Sequence, residues 1–291
     1  MLFRRRSSLT PPESAALAAV LRAPTFELVP LKNALEQAAF LPAGATVSVT
    51  ASPAKGIEAT VALCEQLQAL GFRAVPHLSA RMIRDRAHLS ELIAWMEGAG
   101  VDRAFVVGGD AKEPGDFVDG LSLLREMAEI GHPLSEIGIP CYPQGHAFIA
   151  DAPLLEALRA KAAFASYMTT QLCFDPLAIG TWLSVRRAEG ITLPVHVGLP
   201  GVAEPQRLLA ISARIGVADT HRFLVKNTQF IARLIRSGGF YRPDGLLEGL
   251  APVIADPASG IVDLHMYTFN AVDATERWRL AFLDKLAVPA A

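Results

Sequence analysis

Residues 46–77 read TVSVTASPAKGIEATVALCEQLQALGFRAVPH, and their pattern changes period twice. Thr46–Thr50 is a short run of β-branched residues, which favour a pleated, buried strand. Glu58–Leu70 then places Val61, Cys64 and Leu67 on one face of a helix, with Gly71 as its stop. Arg73–His77 returns to strand character. Strand, helix and strand in about thirty residues make one βαβ unit, in which the two strands run parallel.

The same alternation extends in both directions from this unit. Further strands are expected at Thr25–Val29, Arg103–Val107, Ile137–Tyr142, Ala165–Thr169, Leu193–Val197 and Ile261–Tyr267, which brings the total to eight. Helical patterns lie between them at His88–Ala99, Phe117–Ile130, Leu154–Ala162, Pro176–Glu189 and Pro205–Ile215, with Pro176 and Pro205 suited to open a helix. Eight strands alternating with helices imply an α/β fold, a (β/α)8 TIM barrel, and a doubly wound open sheet is the structural alternative. Additional helical material, Thr228–Ser237 and Leu246–Ile254, falls between Val217 and Ser259, so extra helices are expected before the last strand.

The chain of 291 residues is 51% hydrophobic and carries 27 Lys plus Arg against 29 Asp plus Glu. That length suits a single catalytic barrel domain spanning 1–291, with 1–15 and 288–291 expected to be flexible. The charge balance shows no basic face for nucleic acid and no acidic tail. Cys64, Cys141 and Cys173 are odd in number and widely spaced, which argues against a disulfide framework and for a reducing cytoplasm. No run of about 18 apolar residues points to a membrane span. A small-molecule ligand is the expected partner, and a homo-oligomer is compatible with the sequence.

In such a barrel the active site lies at the C-terminal ends of the strands. Polar residues gather there: Glu27, Thr50, His77, Gly108-Gly109-Asp110, Tyr142, Gln144, His146, Gln171, Asp175, His196, His265, Tyr267 and Asn270. Each alone has a plain reading as a turn residue or a satisfied polar group. Together on one rim they point to a site. Glu27 stands out because a carboxylate inside a strand is costly to bury unless it is protonated, paired or used.

Read in order, these strings resemble the methylenetetrahydrofolate reductase family. The matching pieces are Phe26-Glu27, Val47-Ser48-Val49-Thr50, Pro76-His77-Leu78, Gly109-Asp110, Tyr142-Pro143 with His146, Thr170-Gln171 with Phe174-Asp175, and His265 through Asn270. The resemblance implies an NAD(P)H-dependent oxidoreductase of one-carbon metabolism that interconverts methylene- and methyl-tetrahydrofolate, serving methionine synthesis or O-demethylation. It implies Glu27 as the proton donor for ring opening and Asp110 as both catalytic and pterin-binding, with Gln171 and Tyr267 also on the substrate. It assigns Thr50, His77, Gly109, Tyr142, His146 and Lys161 to the cofactor. Gly108 and Gln144 stand where the family commonly carries Arg and Glu, which resembles a flavin-independent branch. NAD(H) as the direct hydride partner is therefore expected, with FAD as the alternative. Arg81, Arg84 and Arg86 are candidates to grip a pyrophosphate.

Two rival readings remain open from the residues. The histidines His77, His146, His196 and His265 near strand ends allow a metal-dependent barrel hydrolase, although neither an HxH after the first strand nor an HExxH is present. A degenerate folate-binding protein is the non-enzymatic alternative, which would have no need of a buried acid at Glu27.

Overall fold

The computed structural model describes residues 9–146, 148–204, 206, 208 and 239–287. Eight parallel strands, β1 (Thr25–Leu28), β2 (Thr46–Val49), β3 (Arg73–Ser79), β4 (Arg103–Val107), β5 (Glu136–Cys141), β6 (Tyr167–Thr170), β7 (Val195–Pro200) and β8 (Ile261–Tyr267), close into a barrel in sequence order. The register Thr25↔His265, Phe26↔Met266 and Glu27↔Tyr267 seals β1 against β8. The open-sheet alternative is thereby excluded.

Among the described residues the surrounding helices are α1 (Pro11–Arg22), α2 (Ala34–Ala38), α3 (Glu58–Ala69), α4 (Arg86–Gly98), α5 (Gly120–Ile130), α6 (Asp151–Ala162), α7 (Pro176–Ala188), α8 (Asp244–Ala255) and α9 (Val272–Ala287). Their starts follow local chemistry. Asp85, Asp119 and Asp175 cap α4, α5 and α7 by accepting backbone N–H bonds, and Pro176 sits in the first turn of α7. Helix α1 occupies part of the stretch expected to be flexible. Thr10 and Glu13 form a reciprocal capping box around Pro11, and Leu17 and Leu21 are fully buried. Arg279 of α9, itself buried, pairs with Glu276 and donates to the Leu21 carbonyl at 2.6 Å, which fixes the end of α1.

Helix α8 covers the expected Leu246–Ile254 segment before the last strand. The expected helix Thr228–Ser237 lies outside the described residues, as does Pro205–Ile215 apart from Gln206 and Leu208.

Alternation along the strands divides the interior into two parts. Phe26, Leu28, Val47, Val49, Ala104, Val106, Ile137, Ile139, Val195, Val197, Leu264 and Met266 face the helices in one large apolar core. The opposite parity faces the lumen, where Val75, Phe105 and Tyr167 form a small separate cluster. Gly138 makes room for it: a Cβ there would stand 2.6 Å from the Phe105 ring and closer still to Tyr167. Gly198 does the same for Tyr267, whose ring would lie 2.6 Å from an added Cβ.

Candidate functional site

Lumen parity brings Glu27 of β1, Ser48 of β2, His77 of β3 and His265 of β8 to one level of the barrel. In register, Glu27 pairs with Ser48 on one side and Tyr267 on the other. The Glu27 Oε2 atom lies 3.2 Å from His265 Nε2 and 3.8 Å from His77 Nε2. His77 Nε2 also meets the Ser48 hydroxyl at 2.7 Å. The three titratable side chains are nearly buried, at 12% exposure for Glu27, 10% for His77 and 4% for His265. A carboxylate and two imidazoles are thus held where little water competes for their protons.

Phe105 supplies the floor, its ring 4.9 Å from that of His77 and 6.3 Å from that of His265. Burial pushes the His77 imidazole down to about 4, against the pull of Glu27 and with the help of His265. His77 is therefore neutral at neutral pH, and Glu27 does not face a permanent imidazolium there. Tyr267, whose hydroxyl donates to the Thr170 carbonyl at 2.9 Å, packs 5.0 Å from His265. Burial, then the charge of Glu27, drives its phenol well up, so it serves only as a neutral hydrogen-bonding group.

A second group lies on the loops after β4 and β5. Asp110 is exposed, and its charge is felt by Tyr142 and His146. Burial pushes the Tyr142 phenol up to about 12, and the Tyr142 and His146 rings meet edge to face at 5.2 Å. His146 Nδ1 accepts the Phe148 amide at 3.3 Å. Gly109 takes a positive φ of 87°, and a Cβ there would stand 3.2 Å from Ser79 Cβ and closer still to its hydroxyl, so a side chain is disfavoured twice over.

The remaining expected residues are placed less centrally. Gln171 is turned onto its own chain, its Oε1 accepting the Leu172 amide at 2.8 Å. Thr50 follows β2, its amide donating to Leu28 and its carbonyl accepting the Thr60 hydroxyl. Lys161 belongs to α6, where burial lowers its pKa and the electrostatically nearest groups are Cys141, on the helix-facing side of β5, and Asp119. It does not join the Glu27 cluster. The proposed arginine grip is not assembled either: Arg81 donates to the carbonyls of Ala111 and Lys112, Arg84 faces Glu91, and Arg86 pairs with Glu126.

Sequence reasoning gave no role to Ser48. The signal was present, because Ser48 lies two residues before Thr50 on the expected second strand and is the register partner of Glu27. The histidine set expected for a metal hydrolase is dispersed: His146 is on a loop and His196 lies deeper, stacked on Tyr167 at 4.0 Å. Among the described residues no group of three or more His, Cys, Asp or Glu is arranged to hold a metal ion.

An open groove of about 310 Å³ between α7 and α8 is remote from this chemistry. Its guanidinium, Arg187, is committed to the carbonyls of Ser259, Ile191 and Leu193.

No protein-family model matches the chain. Among solved structures it resembles a muconate cycloisomerase from Azorhizobium caulinodans at 13% identity and TM-score 0.43, over 88% of this chain and 58% of that one. It also resembles a Burkholderia cenocepacia J2315 protein described as a lyase/mutase (17%, TM-score 0.44, 94% and 87% covered). A protein of the same organism described as a phosphonomutase gives 16% and TM-score 0.42, with 77% and 99% covered. Likenesses this distant carry the barrel and no chemistry.

The expected membership of the methylenetetrahydrofolate reductases is corrected on these findings. No family model matches the chain, and the solved structures it resembles carry the names of other families. The assignment as an oxidoreductase interconverting methylene- and methyl-tetrahydrofolate, with its links to methionine synthesis and O-demethylation, falls with it. The physical reason lies in the strings themselves. Each was two to six residues at a strand end, and every barrel enzyme needs polar residues and glycines at those ends.

Proposed function

We propose that the chain is an acid–base enzyme of the lyase or isomerase kind, moving a proton on a small carbonyl-containing substrate at the C-terminal mouth of the barrel. The observation that carries this reading is Glu27 Oε2 set between His265 Nε2 at 3.2 Å and His77 Nε2 at 3.8 Å. A carbonyl acidifies the adjacent C–H enough for a carboxylate to remove the proton. Glu27 takes that proton and the electron pair moves onto the carbonyl oxygen. The proton then returns to another carbon in an isomerisation, or a leaving group departs in an elimination. The neighbouring imidazoles hold the carboxylate in place and offer N–H groups to it or to substrate oxygen.

The nicotinamide and flavin expectations were carried by the resemblance alone and form no part of this reading. We place the protein in a reducing cytoplasm, because the three cysteines of the chain are odd in number and widely spaced, and Cys64 and Cys141 are free and buried. Among the described residues no helix is long and apolar enough to cross a membrane.

The test is solvent exchange. The purified protein is incubated in D₂O with a panel of 2-keto acids, hydroxy acids, aldehydes and unsaturated carboxylates, and loss of C–H signal is followed by NMR. Wild type labels at least one compound, and Glu27→Gln, similar in shape but unable to take the proton, is slower by about 10²–10⁴. A wild type that labels none of the panel, or a Glu27→Gln that labels as fast, overturns the reading.

A further inference from the structure

The turn that follows β8 does something that barrel closure alone does not require. Phe269 and Asn270 both adopt positive φ, at 51° and 56°, a pair of non-glycine residues in the left-handed region. Such a conformation costs energy at each residue and persists only where surrounding contacts hold it. Phe269 packs with Leu172, Ala203 and Tyr241, while the side-chain hydrogen bonds of Thr268 and Asn270 reach the strand that carries Glu27 and the residues just after it. The Thr268 hydroxyl donates to the Glu27 carbonyl at 2.6 Å. The Asn270 side chain then acts as a substitute strand: its Oδ1 accepts the Val29 amide at 2.8 Å and its Nδ2 donates to the Val29 carbonyl at 2.9 Å.

The β1–β8 ladder ends at Glu27↔Tyr267, and this side-chain amide continues it by one more residue pair. Nδ2 also reaches Asn33 Oδ1 at 3.2 Å, and the Asn270 backbone N–H donates to the Thr268 hydroxyl at 3.2 Å, so the Thr268 side chain is tied to the backbone of Asn270. Thr268 and Asn270 are 0% and 3% exposed. In water-excluded surroundings, bonds of this kind fix geometry because no solvent can replace them.

We propose that Thr268 and Asn270 are positioning residues for Glu27, and that the left-handed turn exists to bring their side chains onto the backbone on either side of it. The proposal rests on Glu27 being the acid–base group, but its test reads geometry and needs no substrate. Thr268 fixes the Glu27 carbonyl, Asn270 fixes Val29 two residues on, and Leu28 between them is held by the Thr50 amide at 3.0 Å from the β2 side. The carboxylate consequently has one way to meet His265.

Two measurements test this. In the wild type, the Val29 amide is expected to resist hydrogen exchange as the β1 amides do, although it lies beyond the strand; rapid exchange at Val29 would defeat the proposal whatever the variants do. In the variants, ¹⁵N NMR of the His77 and His265 rings reports their contact with the carboxylate, and Glu27→Gln gives the ring signals with no carboxylate present. Thr268→Val, and Asn270→Gly, which keeps the positive φ while removing the amide, should each move both ring signals toward the Glu27→Gln positions. Thr268→Ser, which restores a hydroxyl, should leave them at wild type. Folded variants with lowered Tm and wild-type ring signals would make the turn merely structural and overturn the inference. Moved ring signals alongside a wild type that exchanges no substrate proton would instead retain the clamp and remove the acid–base reading.

Discussion

The barrel lumen holds two carboxylate–imidazole pairs, one above the other. Near the mouth, Glu27 meets His265 at 3.2 Å; nearer the N-terminal ends of the strands, Asp263 meets His196 at 3.6 Å. The residue types match and the contacts differ: Glu27 Oε2 is within hydrogen-bond reach of His265 Nε2, whereas His196 Nδ1 finds no hydrogen-bond partner among the described residues. The lower pair is capped by the Tyr167 ring stacked on His196, is tied to β1 through the Thr25 hydroxyl at 2.8 Å from Asp263, and shares its level with the Arg103–Glu136 ion pair at 3.0 Å. Burial raises Asp263 to about 6 and pushes His196 down to about 3, so both groups lean toward their neutral forms. The upper pair adds a second imidazole and reaches the end of the barrel where substrates enter. Position along the barrel axis, rather than residue type, separates the pair that the proposed function uses from the one that it does not.

The largest effect that would sharpen this contrast is on acid stability. The unfolded chain protonates its histidines near 6.5, whereas folded His196 and His77 resist until about 3 and about 4. Stability contributed by both is therefore complete above 6.5 and is lost as pH falls through that interval, by up to about 3 kcal/mol for His77 and about 5 kcal/mol for His196. Asp263 works in the opposite sense. Its folded pKa of about 6 lies above the ordinary 3.8, so its contribution is full below 3.8 and is lost as pH rises through 6. His196→Phe, which keeps the stack on Tyr167, should flatten the acid limb of a urea-denaturation series from pH 7 to 4. Asp263→Asn should steepen it. Unchanged limbs in both variants would mean that the lower pair is hydrated and not sealed.

A middle-sized effect comes from packing. Gly138→Ala pushes a methyl group into the Phe105 and Tyr167 rings between the two levels, and overpacking of this kind costs about 1–3 kcal/mol. Thermal unfolding checks it, and a neutral result would show that the lumen has slack. The smallest is Ser48→Ala. It removes the 2.7 Å partner of His77 and should lower stability by about 1 kcal/mol, with the barrel otherwise unchanged.

The barrel was legible because parallel strands and their crossover helices alternate with distinct periods, and all eight expected strands overlap the observed ones. Helix α1 was missed for a local reason. Residues 1–15 were expected to be flexible, yet Pro11 and Pro12, behind Thr10 and ahead of Glu13, open a capped helix. Glu27, His77 and Tyr267 were expected near the barrel mouth from strand-end position, and closure of the barrel brings their side chains close around His265. Lys161 was taken for a cofactor contact, but it lies on a helix beside the outer face of β5. The Asp263–His196 pair was invisible as a pair because its members come from different strands and meet only once the barrel closes. Family identity was the least legible quantity, since short polar strings at strand ends report the architecture that they share.

The direct test of the contrast is to compare proton exchange in Glu27→Gln and Asp263→Asn, side by side, on whichever panel compound the wild type labels in D₂O. The account predicts that Asp263→Asn stays within a few-fold of wild type, while Glu27→Gln falls by about 10²–10⁴. Equal losses in the two variants, or a greater loss in Asp263→Asn, would contradict it and move the chemistry down the barrel.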